Sequence, residues 1–110
     1  MSETYVSIKD DVLKKLETNL PTILESFGVD TIGIFGSVSR GEDSPSSDVD
    51  VLYHFLDGRG GMYDLVGLHD YLVSLFDREV DLVSIEFISP LIINYIKSDA
   101  LLFGAAQAIV

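Results

Sequence analysis

A chain of 110 residues, 47% hydrophobic and 23% charged, has the size and composition of a folded chain rather than a disordered one, and a single domain (1–110) without room for a separate substrate-binding domain is expected. Its 18 acids against 7 bases give a formal charge of -11, which repels a nucleic-acid backbone and suits a basic protein partner, although solubility alone explains acidity equally well. The absence of cysteine excludes disulfides and thiolate metal sites, and neither a leader-like N-terminus nor an apolar run of about 20 residues is present, so a cytoplasmic protein with no membrane or direct nucleic-acid contact is expected.

Ser7-Ile8-Lys9-Asp10 has the shape of a capping box, and Val12, Leu13, Leu16, Leu20, Ile23, Leu24 and Phe27 recur at helical spacing. Pro21 predicts an interruption: one helix to about Asn19, a second turn or kink from Pro21, and a stop near Gly28. Thr31–Phe35 does not alternate and reads as a strand buried on both faces, with Gly33 marking a close backbone approach. The Ser-rich stretch Val38–Ser47 reads as a loop. Asp48–Phe55 is a second strand, with Asp48, Asp50, Leu52 and His54 on one face and Val49, Val51, Tyr53 and Phe55 on the core face. His54 reads as an edge histidine or as a group supporting the carboxylates.

The glycines of Asp57–Gly61 are too scattered for a dinucleotide fingerprint, and no GxxxxGK[ST] occurs. Met62–Phe76 carries a helical stripe, with His69 and Asp70 as solvated positions. Val80–Ile85 is a third strand interrupted by Asp81. Ser89-Pro90 opens a last helix with the stripe Leu91, Ile92, Tyr95 and Ile96, ending near Lys97-Ser98-Asp99. The uncharged tail Ala100–Val110 either packs back on the sheet or forms an interface, including one with a second copy.

The chemistry concentrates in Gly36–Asp50, GSVSRGEDSPSSDVD. Two strand residues two apart put the Asp48 and Asp50 carboxylates on one side, where they repel unless a cation lies between them. Hard oxygen ligands with room for water favour magnesium or manganese. Gly36-Ser37 supplies backbone N–H groups and a hydroxyl for a phosphate, so the stretch reads as a site for a metal-bound nucleoside triphosphate. Arg40 is read either as a phosphate ligand or as a surface partner of Glu42 or Asp43, and Ser47 either as a ligand to an aspartate or phosphate or as a turn hydroxyl. Asp81 is a third ligand if its strand lies beside that of Asp48 and Asp50, and otherwise a strand-end partner of Arg78.

With ten residues, Val38–Ser47, between Gly36-Ser37 and Asp48-x-Asp50, the pattern resembles the nucleotidyltransferase superfamily that includes DNA polymerase β. GSVSRG followed by SDVDVL resembles its minimal nucleotidyltransferases, many of them antitoxins paired with a HEPN ribonuclease toxin. The resemblance implies an α/β (α+β) nucleotidyltransferase fold, a small mixed sheet flanked by helices, and Asp81 as the third acid. It further implies two Mg2+ ions on Asp48, Asp50 and Asp81, ATP as substrate, Gly36, Ser37, Arg40 and Ser47 near the nucleotide, and AMP transfer to a tyrosine of the toxin in a type VII-like toxin–antitoxin pair. Three alternatives stand beside it: an antitoxin that neutralises its toxin by binding alone, a nucleotidyltransferase acting on a small aminoglycoside-like molecule, and a metal-stabilised structural domain.

Overall fold

The computed structural model describes residues 4–91 and 93–104. Four strands form one mixed sheet in the order β3-β2-β1-β4. β1 (Val29–Phe35) pairs antiparallel with β2 (Val49–Phe55) and with β4 (Leu101–Gly104), and β2 pairs parallel with β3 (Val80–Ser84). The parallel step needs a crossover, which α3 (Met62–Phe76) provides. The result is the small α+β domain expected from the sequence.

Helices α1 (Lys9–Phe27) and α3 cover one face of the sheet. Val12, Leu16 and Ile23 from α1 and Leu68 and Leu72 from α3 are fully buried against Ile32, Ile34, Val49 and Val51. Contrary to the expected break, Pro21 lies inside one continuous helix of 19 residues. Pro21 is exposed, so the carbonyl it leaves without a donor faces water, while buried Leu16 and Ile23 anchor both halves to the same surface. Gly28 ends the helix in the left-handed conformation, with its N–H on Leu24 O. The expected capping box does not form: Ile8, not Ser7, is the N-cap and has no side-chain cap, Ser7 Oγ accepts from Lys9 N, and Ile8 N donates to distant Asp43.

The opposite face is covered only in part. There α4 (Ile93–Asp99) and a 3₁₀ turn (Ile85–Phe87) lie over Leu52, enclosing a small apolar cavity of about 60 Å³. The last helix begins later than expected, because Ser89 forms a separate turn, accepting from Leu91 N at its hydroxyl and from Ile93 N at its carbonyl. Of the expected stripe Ile96 is buried, Leu91 (88%) and Tyr95 (77%) are exposed, and Ile92 lies outside the described residues. The start of the uncharged tail packs back on the sheet as edge strand β4, and residues 105–110 lie outside the described residues. β4 fits because Gly33 has no side chain: a Cβ there would meet Leu101 O at 2.2 Å. Among the described residues no helix is long and apolar enough to cross a membrane.

Candidate active site

The face that α4 leaves open carries the acids. In the sheet register Phe35 opposes Asp50, and Asp50 opposes Asp81 across the parallel pair. The expectation that the third acid stands beside the second is met, and the alternative pairing of Asp81 with Arg78 is absent: Arg78 is engaged elsewhere. Asp48 lies one residue before β2, exposed like Asp81, and Asp50 is half-buried. Burial, and then the charges of Asp81 and Asp48, push the Asp50 carboxyl above its ordinary value. The three groups therefore form one electrostatic unit. Among the described residues no three acids or histidines are drawn together into a ready cation shell.

The expected Val38–Ser47 loop is helical at its start. Gly36–Arg40 forms a five-residue helix, α2, closed by Ser39 Oγ donating to Gly36 O (2.8 Å) and by Glu42 N donating to Ser37 O (2.8 Å). Buried Val38 and Ser39 seat it on the domain. Gly36 has φ +74, and a Cβ there would lie 2.4 Å from Asp50 Oδ2. A glycine is thus required twice over, by the backbone angle and by the carboxylate packed against it. That cradle, with hard oxygen donors beside it, fits a hydrated divalent cation and the phosphates it carries.

Arg40, at the end of α2, binds Glu42 Oε1 through Nε (2.6 Å) and Asp99 Oδ2 of α4 through Nη1 (2.6 Å). Its charge still acts on Asp50, partly opposing the rise in that carboxyl. The expected pairing with Glu42 is present; Asp43 is not its partner. Ser47 Oγ accepts from Ser44 N (2.8 Å), the turn role. His54 sits away from the acids, its Nδ1 2.9 Å from Asp30 Oδ1 and its Nε2 3.7 Å from Glu86 Oε1. Beside Asp48 an open cleft of about 370 Å³ runs between Ser46-Ser47 and Asp77-Arg78-Glu79.

The profile of the Nucleotidyltransferase domain family matches residues 12–103, which spans most of α1 through most of β4 and includes every residue of the acidic face. The chain belongs to this family. A protein adenylyltransferase, MntA, of Thermococcus cleftensis is 36% identical over 74 residues, 67% of this chain and 74% of that protein. Among solved structures, one described as a minimal nucleotidyltransferase superposes with a TM-score of 0.72 at 29% identity, covering 84% of this chain and 93% of that one. A toxin–antitoxin crystal structure with AMP-PNP superposes at 0.61 with 25% identity, covering 91% and 76%. These likenesses make the chain a transferase of the minimal nucleotidyltransferase type.

Sequence reasoning gave no role to Tyr5 or Asp99 and assigned Asp43 and Arg78 other partners, Arg40 and Asp81. Asp43 is 7% exposed and accepts from Tyr5 OH (2.5 Å), Ser7 Oγ and Ile8 N (3.1 Å). An acid in a Ser-rich segment reads locally as solvated, and nothing in its neighbourhood signals three donors from the start of the chain.

Proposed function

We propose that this protein transfers AMP from magnesium-bound ATP to a protein hydroxyl, a tyrosine of a cognate HEPN toxin, and acts as that toxin's antitoxin in a type VII-like pair. The observation that carries the reading is the alignment of Asp50 with Asp81 on the open face, with Gly36 pressed against the Asp50 carboxylate. The likeness to an adenylyltransferase and to a toxin–antitoxin complex holding AMP-PNP supports the choice of nucleotide and of a protein partner. The charge of -11 supports a basic one.

In this reading Asp48, Asp50 and Asp81 would hold two Mg2+ ions, which would neutralise the triphosphate and lower the pKa of an attacking hydroxyl. The N–H groups of Gly36 and Ser37 orient the outer phosphates. Arg40 would exchange Glu42 or Asp99 for a phosphate oxygen, which its planar fork can bind through two N–H groups. Ser47 helps fix the turn that presents Asp48. Asp81, exposed at the sheet edge, receives the proton of the acceptor hydroxyl as the oxygen attacks the α-phosphorus and pyrophosphate departs.

The test is incubation with Mg2+, ATP labelled at the α-phosphate and the product of the neighbouring gene. Label on the partner that is lost in Asp48→Asn is the expected result. Tight partner binding without label would replace the reading with neutralisation by complex formation alone.

A further inference from the structure

Two consecutive residues hold the backbone on either side of Asp48. Arg78 Nη1 donates to the carbonyls of Ser44 (3.1 Å) and Ser47 (2.9 Å), the first and last residues of the turn that Ser47 N closes onto Ser44 O (3.0 Å). One residue beyond Asp48, Val49 N donates to Glu79 O (2.9 Å). Asp48 is therefore gripped immediately before by the Arg78 side chain and immediately after by the Glu79 main chain. Residues 78 and 79 lead directly into β3, where Asp81 stands opposite Asp50.

The grip has a support of its own. Arg78 Nη2 donates to Tyr5 OH (3.0 Å), Tyr5 OH donates to Asp43 Oδ2 (2.5 Å), and buried Asp43 also binds Ser7 and Ile8 at the head of α1. A planar guanidinium with a fixed fork can reach two carbonyls and a hydroxyl at once, which a lysine ammonium on a flexible stem does not reproduce.

We propose that Arg78 is a positioning residue for the transfer site: it sets the spacing between Asp48 and the Asp50–Asp81 pair, and the Tyr5–Asp43 relay locks its guanidinium in place. The proposal rests on the reading of Asp48 as a ligand for metal-bound nucleotide. Arg78 itself touches no reacting atom, and its effect falls on cation binding before it falls on chemistry.

The experiment is a titration of Mn2+ into the full chain with α,β-methylene-ATP, whose bridge is not cleaved by transfer, reading bound Mn2+ by electron paramagnetic resonance beside a thermal melt. Arg78→Gln is expected to weaken Mn2+ binding about 10- to 100-fold, Arg78→Lys to recover only part of it, and Tyr5→Phe to give an intermediate loss. Arg59→Gln is the control: Arg59 also joins separated segments, through Asp64 and Ser26 O, but away from the acids. Wild-type Mn2+ binding in Arg78→Gln, with binding lost in Asp48→Asn, would overturn the positioning role and leave the site standing. Equal losses in Arg78→Gln and Arg59→Gln would overturn it as general loosening of the fold. Wild-type binding in Asp48→Asn would overturn the reading of the site itself, and the proposal with it.

Discussion

Replacing Gly36 by alanine separates the demands of the fold from those of the site. The backbone there has φ +74, and a left-handed angle costs an L residue about 1–2 kcal/mol. Alanine also narrows the unfolded ensemble, which returns about 0.4–1 kcal/mol. The net loss of stability is then about 1 kcal/mol, a fall in melting temperature of about 4–8 °C for a small domain. The effect on the site is larger. The new Cβ would lie 2.4 Å from Asp50 Oδ2, where ordinary contact begins near 3.4 Å, so the carboxylate must retreat by about 1 Å. A displacement of that size in a catalytic group costs on the order of 100-fold in rate. Gly36→Ala should therefore melt a few degrees low, keep its fold by circular dichroism, and transfer about 100-fold less AMP at saturating partner. Transfer within about threefold of wild type would refute the reasoning, because Asp50 would then have no need of the place it occupies against the glycine.

Asp50→Asn should stabilise the protein in the absence of metal, since burial and the neighbouring Asp81 and Asp48 charges raise the Asp50 carboxyl above the ordinary 3.8. A raised acid favours the fold below the unfolded value and loses that contribution as pH rises through the folded one. The melting difference between Asp50→Asn and wild type should thus vanish below pH 3.8 and grow as pH rises above it. Asp43 behaves in the opposite sense: burial pushes its carboxyl up, but hydrogen bonds from Ser7, Tyr5 and Ile8 outweigh that and hold it below 3.8. Its contribution is present above that value and lost as pH falls through the depressed one. Acid melts of Asp43→Asn should accordingly lack that part of the wild-type pH slope, starting from a protein about 2 kcal/mol less stable at neutral pH.

Local pattern was enough to determine much of this protein. The stripes of α1 and α3 report a helix that buries one face, the unbroken run at β1 reports a strand covered on both sides, and the interval from Gly36-Ser37 to Asp48-x-Asp50 lies within one short connection. Even where local rules conflicted, as at Pro21, the outcome turned on tertiary contact: burial of Leu16 and Ile23 on one surface outweighed a break on the solvent side. The short helix at Gly36–Arg40 was illegible for a related reason. Five residues carry no periodic signal, and Val38 and Ser39 are buried only once β1, β2 and α4 pack around α2.

Only the folded sheet decided the rest. Asp81 becomes part of the acidic face through a parallel register with Asp50 that requires the α3 crossover, and no spacing along the chain encodes which edge β3 will occupy. Arg40 finds Asp99 at a separation of 59 positions, Asp43 finds Tyr5 at 38, and Arg78 finds Ser47 at 31 and Tyr5 at 73. Sequence periodicity records the environment of a residue but not the identity of its distant partner. The acids proposed for the site are therefore legible in the chain itself, while the contacts that position them arise only when the sheet closes.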